Sequence, residues 1–168
     1  MSKKDFFLMT VPGPGFESRT KVENALRAVG LLYISPIANS VLDGGDFFTA
    51  RKFSRHYEAH SLLVSDLMPN LGEEEKTTTG ELFAARDAAG FCEGPDHAAL
   101  WIRMAYRCQP FGEWLSVLTR PMACADTVAI LAVTHDEDGE GICADYASPE
   151  RKDWGRKDPV IVFKAVVQ

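Results

Sequence analysis

The sequence lacks the long apolar run that a membrane-spanning helix needs. Its first apolar stretch, residues 6–11, ends at Pro12 and is much shorter than the roughly 20 residues of a membrane span. It is also too short for the core of a signal peptide, so it predicts a first strand instead. We therefore expect a soluble, cytoplasmic protein that does not use a membrane.

Paired cysteine motifs are missing as well. The four cysteines are Cys92, Cys108, Cys124 and Cys143, and no two of them form a Cys-x-x-Cys pair. This absence excludes the common zinc and redox motifs of that type, and it predicts free thiols in a reducing compartment.

The chain has no excess of positive charge. Its 18 lysines and arginines stand against 24 aspartates and glutamates, which gives a formal net charge of −6. General nucleic-acid binding needs a basic face that neutralises phosphates, so we do not expect a nucleic-acid partner.

Recognisable nucleophile motifs are also absent, because the sequence contains no Gly-x-Ser-x-Gly. This favours a protein that is not an enzyme. It leaves open a catalytic site assembled from residues that are distant in sequence.

Apolar residues are plentiful enough for one hydrophobic core. The chain has 168 residues, of which 46% are hydrophobic and 25% charged, as is typical of a globular domain. We predict a single α+β domain over residues 1–168. It would have an N-terminal β-α-β unit, a helical middle and a C-terminal, mostly antiparallel sheet.

The N-terminal unit begins with the strand at 6–11, which the glycine- and proline-rich turn 12–15 ends. Thr20, with a glutamate three residues later, predicts a capping box. The helix that follows would end at Gly30, and residues 31–34 would form the second strand.

The middle of the chain predicts helices. Apolar residues at helical spacing indicate a helix over about 46–66. Thr78, with a glutamate three residues later, predicts a second capped helix that ends before Gly90. Residues 97–108 fit either an alternating strand or a helix capped by Asp96, and their aromatic and β-branched content favours the strand.

After Pro110 the residue pattern is typical of strands. Predicted strands cover 114–119, 127–134, 142–146 and 160–167. The acidic turn 136–141 would join two of them as a hairpin, and 148–159 would be a charged loop.

Two histidines form the first candidate site. His56, Glu58 and His60 alternate, so in a strand all three would share one face and could hold a metal. In the predicted helix Glu58 would point away, and the two histidines would lie about 40° apart. Histidines at this spacing can bind zinc if a third ligand joins them. Candidates for that ligand are His97, His135 and Asp136. The alternative function is therefore a small metal-dependent hydrolase or metal-binding protein that uses His56 and His60, with zinc as the possible metal. The main prediction includes no cofactor.

The glycine-rich turn is a second candidate. Gly13 and Gly15 precede Ser18 at the start of a predicted helix, where backbone N–H groups could bind a phosphate-bearing ligand. Pro14 has no N–H to contribute. The competing interpretation is a rigid turn that only starts the helix.

The third candidate is the loop around Trp154, which carries four cations and interleaved acids. A tryptophan flanked by arginines can anchor a partner protein. The competing interpretation is a solvated loop with Trp154 folded onto the sheet. We predict a non-enzymatic protein-binding domain of the inhibitor, immunity or adaptor type, with Arg151, Trp154 and Arg156 at its interface.

Overall fold

An eight-stranded sheet organises the chain. The computed structural model describes residues 6–13, 15–31, 33–44, 47–48 and 55–166. The strands are β1 (Phe6–Val11), β2 (Tyr33–Ile34), β3 (Tyr57–Leu63), β4 (Lys76–Thr78), β5 (Trp114–Val117), β6 (Met122–Cys124), β7 (Thr127–Asp136), β8 (Gly139–Tyr146), β9 (Lys152–Gly155) and β10 (Pro159–Ala165). The helices are α1 (Arg19–Ala28), α2 (Pro36–Asp43), α3 (Val64–Leu67), α4 (Thr79–Ala88) and α5 (Ala98–Ala105).

The strands of the large sheet follow the order β1-β3-β10-β5-β7-β8-β2, with β6 paired to β7, and a small second sheet joins β4 to β9. Pairing is mostly antiparallel, and the exceptions are the parallel pairs β10–β5 and β2–β8. The α+β class and the antiparallel C-terminal half are confirmed. The β-α-β order at the N-terminus is confirmed too, with β1 and β2 at opposite ends of the sheet.

Two hydrophobic cores lie on the two faces of the large sheet. Along β10, Ile161 and Phe163 belong to one core and Val160 and Val162 to the other, because successive side chains of a strand point to opposite faces. Residues of α1, α2 and α5 complete the first core. Residues of α3, α4 and the small sheet complete the second.

The two predicted capping boxes differ in outcome. Thr78 accepts a hydrogen bond from the Glu81 amide at 3.1 Å, and the Glu81 carboxylate accepts one from the Thr78 amide at 2.9 Å, so this box is confirmed. At α1 the cap is Ser18, whose Oγ accepts from the Lys21 amide at 3.4 Å. Thr20 lies inside that helix, so the first box is wrong. Gly30 ends α1 with a φ of 77°, as predicted.

The predicted helix over 46–66 is wrong in its second half, because residues 57–63 form β3. Only Val64–Leu67 is helical there, and residues 46 and 49–54 lie outside the described part of the chain. β3 lies between β1 and β10 and is buried on both faces. Ala59 packs in the first core and Leu62 in the second. The sequence of β3 therefore lacks the alternation of apolar and polar residues that a strand with one solvent-exposed face would show.

The strand favoured for 97–108 is also wrong, because Ala98–Ala105 is a helix. Most residues of α5 are buried, and a helix that is apolar on nearly every side can alternate by chance as a strand does. Asp96 does not cap it. Its carboxylate instead pairs with Arg120 at 3.0 Å.

In the C-terminal half, the hairpin prediction is confirmed, since β7 and β8 pair as far as Asp136 opposite Gly139. The predicted loop 148–159 is not entirely a loop. Its residues Lys152–Gly155 form β9, which places Trp154 opposite Thr77 on β4.

The cysteines are all free thiols, as predicted. In the described part of the chain, no helix is both long and apolar enough to cross a membrane.

Candidate functional site

A pocket of about 420 Å³ opens where the large sheet meets the small sheet. Strands β5 and β8 contribute Trp114, Ser116 and Asp145 to its lining. Strand β9 and the turn after it contribute Trp154 and Asp158. The pocket has the size of a typical ligand site and combines aromatic with polar groups.

Trp114 and Tyr146 are the exposed aromatic residues among the described lining of this pocket, with 39% and 36% of their surface accessible. Trp114 is the one whose ring forms a hydrogen bond to the pocket. Its Nε1 donates a hydrogen bond to Asp145 Oδ2 at 3.0 Å. Ser116 Oγ donates to the same oxygen at 2.5 Å. From the described residues, no hydrogen bond reaches the other oxygen, Oδ1. One carboxylate oxygen therefore holds the indole in place, and the second is available to a ligand.

The strand registers explain how these residues meet. β7 lies between β5 and β8, and it places Ala132 between Ser116 on one side and Cys143 on the other. Side chains at alternate strand positions share a face, so Trp114 lies beside Ser116, and Asp145 beside Cys143. Because Ala132 has a small side chain, Ser116 of β5 and Asp145 of β8 can reach each other across β7.

The described lining of the pocket contains three carboxylates and only one cationic side chain. Arg151 forms an ion pair with Asp153, and its guanidinium lies over the ring of Tyr146 at 5.1 Å from the centroid. Asp158 accepts a hydrogen bond from the Gly155 amide at 2.7 Å. No cation of the described residues forms an ion pair with Asp145, so the pocket carries an uncompensated negative charge.

Burial raises the pKa of Asp145 above its ordinary range, and the hydrogen bonds from Ser116 and Trp114 oppose this shift. The nearby carboxylates of Asp158 and Asp153 raise the pKa further. Asp145 therefore ionises at a higher pH than an exposed aspartate does. A bound cation would stabilise the ionised carboxylate and oppose this rise in its pKa.

The predicted partner-binding residues divide between two places. Arg151 and Trp154 both line the pocket. Trp154 is only 4% exposed, and its Nε1 donates to Thr79 Oγ1 at 3.0 Å, so it packs onto the sheet. Arg156 lies apart from the pocket and donates to the Leu71 carbonyl at 2.7 Å.

The predicted zinc residues lie on and beside β3. His60 is 6% exposed, and its Nε2 lies 3.4 Å from Glu58 Oε2. His56 precedes the strand and is exposed. No group of three histidine, cysteine, aspartate or glutamate residues is placed to hold a metal among the residues described. Zinc binding by His56 and His60 stays a prediction.

The glycine-rich turn packs against a buried histidine. The Phe16 amide donates to His97 Nδ1 at 2.5 Å, and His97 Nε2 donates to the Phe47 carbonyl at 2.8 Å. The imidazole stacks on the Phe47 ring at 4.4 Å, and burial lowers its pKa. A side chain on Gly15 would meet His97 Nδ1 at 2.3 Å. Gly15 thus has a clear packing role.

Phosphate binding near Gly13, Gly15 and Ser18 stays a prediction. Gly13 is buried, and Ser18 acts as the cap of α1. The Phe16 amide, which a phosphate would also need, is used by His97. Pro14 lies outside the described residues.

The reasoning from sequence missed Trp114, Ser116 and Asp145 as site residues. A partial signal was present, because Trp114 and Ser116 alternate with the buried Leu115 and Val117. That pattern places both on the face opposite the first core. No local pattern connects them to Asp145, which lies 29 residues beyond Ser116.

No protein-family model, curated protein or solved structure matches this chain. The chemistry of the pocket is therefore the basis for a functional proposal.

Proposed function

We propose that this protein is a non-enzymatic binding domain that recognises another protein through the pocket around Trp114. The observation that supports this most directly is an exposed tryptophan held in one orientation by Asp145. Tryptophan is among the residues that contribute most to binding energy at protein interfaces. An anchor that is already fixed loses less conformational entropy when a partner binds.

The polar groups of the pocket also favour recognition over catalysis. Asp145 accepts from Trp114 and Ser116, and Asp158 accepts from a backbone amide. Asp153 is paired with Arg151. These bonds fix the shape and charge of the surface, which suits the selection of a partner.

The proposed interface shares Arg151 with the interface predicted from sequence, but its centre is Trp114 and not Trp154. Trp154 is almost fully buried, so it supports the pocket from inside the protein and offers little surface to a partner. Trp114 takes over the role of the exposed aromatic anchor. Arg156 lies outside the proposed interface, because it contacts Leu71 and Glu73 instead.

Affinity capture from a lysate of the source organism tests the proposal. We expect the wild-type protein to retain a stoichiometric partner that Trp114→Ala does not retain. Phe111→Ala is the matched control, because Phe111 is 69% exposed and lies outside the pocket. Both variants should keep the thermal stability of a folded protein. A partner that binds all three proteins equally, or no retained partner at all, would contradict the proposal.

A further inference from the structure

We infer that the pocket around Trp114 binds an arginine side chain of the partner protein. This inference rests on the proposed function and specifies the chemistry of the group recognised. The guanidinium would stack on the Trp114 indole and bond to Oδ1 of Asp145.

The charge of the pocket is the first argument. Asp145, Asp153 and Asp158 line it, and Arg151 is the one cation among its described lining residues. Arg151 is already paired with Asp153, which leaves the carboxylate of Asp145 without a cation. Complementary charge in a partly enclosed site favours a cationic group over a neutral one.

The geometry of Asp145 is the second argument. Both of its hydrogen bonds within the described chain, from Trp114 and Ser116, end on Oδ2. Oδ1 can therefore accept an N–H from a ligand without breaking the bonds that hold the pocket together. Hydrogen bonds between two charged groups are stronger than neutral ones.

The choice of arginine over lysine comes from the aromatic surface. Arg151 lies with its guanidinium over the Tyr146 ring at 5.1 Å while it pairs with Asp153, so the protein's own arginine already shows this pairing at the pocket. A planar guanidinium stacks on aromatic rings and forms directed bonds to a carboxylate, which an ammonium group does less well. Trp114 and Asp145 likewise place an aromatic ring beside a carboxylate, so they could bind a second guanidinium in the same way.

The test is a titration of ¹⁵N-labelled protein with three capped tripeptides: glycine-arginine-glycine, the same peptide with neutral citrulline, and the same peptide with lysine. The reporter is the Trp114 indole N–H signal, because that group bonds to Asp145. We expect the arginine peptide to shift this signal and to bind about tenfold more tightly than the citrulline peptide. The lysine peptide should fall between them.

Asp145→Asn is the matched variant, because an amide oxygen can still accept from Trp114 and Ser116 while the charge is lost. In this variant the arginine peptide should bind only as weakly as the citrulline peptide. Unchanged unfolding behaviour would show that the pocket remains folded. Equal shifts by the arginine and citrulline peptides, or no shift at all, would overturn the inference.

The two experiments fail in different ways. If capture of a partner depends on Trp114 but the arginine peptide shows no preference over citrulline, the proposed function stands and the arginine inference falls. If the arginine peptide binds selectively but no captured protein depends on Trp114, the chemistry of the pocket stands and the function as a protein-binding domain falls.

Discussion

At the scale of single residues, Gly15 is a position where one added methyl group should destabilise the fold. Its Cβ in Gly15→Ala would lie 2.3 Å from Nδ1 of His97, a ring that is bonded at both nitrogens and stacked on Phe47. The ring or the turn must then move. We expect the free energy of unfolding in urea to fall by about 1–3 kcal/mol.

Gly155→Ala is the control for this prediction. A Cβ there meets its nearest atom at 3.6 Å, which is ordinary contact, so we expect a change of less than about 1 kcal/mol. Equal losses in the two variants would mean that the contact with His97 is not the cause.

His97 should also make stability depend on pH. Burial lowers its pKa below the ordinary 6.5, so between the folded and unfolded pKa values the unfolded chain binds more protons. The stability that neutral, buried His97 contributes to the fold is therefore fully present above pH 6.5. It is lost as the pH falls below 6.5 towards the lower pKa of the folded protein. Urea unfolding between pH 8 and pH 5 should show this loss in the wild-type protein and a smaller slope in His97→Gln. Identical slopes would refute the assignment to His97.

At the scale of elements, the two capping boxes expected from sequence give a matched pair of mutations. Thr78 caps α4 through its bond to the Glu81 amide, whereas Thr20 lies exposed inside α1. We expect Thr78→Ala to lower the free energy of unfolding by about 1 kcal/mol. Thr20→Ala should be neutral or slightly stabilising, because alanine is the better helix former. Thermal and urea unfolding measure both, and the reverse order would contradict the structure of α1.

Trp154 joins β9 to α4, because it is buried in the second core and its indole donates to Thr79. Trp154→Ala should cost about 3–5 kcal/mol of stability, as expected for the loss of a buried aromatic side chain. Thr79→Val, which removes only the acceptor, should cost about 1 kcal/mol. Should Trp154→Ala unfold like the wild-type protein, Trp154 would be a surface residue rather than a core residue.

The elements that were predicted correctly are those that local residue types and turns define. Strands β7 and β8 and the hairpin between them were predictable, since a local turn joins them and β7 is rich in β-branched residues. β3 was not, because polar and apolar residues occur on both of its faces, so it shows no regular alternation. α5 was not, because most of its residues are buried and it keeps little polar face to reveal its period. Their identity depends on the neighbours that cover them, which the local sequence does not contain.

At the scale of the whole molecule, binding of an arginine peptide should weaken in acid. Asp145 must be ionised to pair with a cation, and its pKa is raised by burial and by Asp158 and Asp153. As the pH falls through the raised pKa of Asp145, the protonated fraction of Asp145 grows and the dissociation constant of the arginine peptide should increase. Titrations from pH 7 to pH 4 measure this, and Asp145→Asn should show a much flatter profile. A wild-type affinity that is constant over this range would count against a charged Asp145.

The candidate site was only partly predictable from the sequence. Arg151 and Trp154 were found because they lie close together in one unusual segment. Trp114 and Asp145 are brought together by three strands, and no spacing along the chain expresses that proximity. The exposure of Trp114 and the burial of Trp154 are likewise set by the packing of the small sheet on the large one.

The position of β10 has a consequence for how the chain is made. It is the last strand of the described chain, yet it lies in the interior of the sheet, between β3 and β5. While a ribosome is still synthesising β10, the β1–β3 pair and the strands around β7 have no strand to join them. The two halves of the sheet can therefore unite only after Pro159–Ala165 has emerged from the ribosome. Until then the inner edges of β3 and β5 are open to other chains, and a chaperone that shields strand edges would act in this interval.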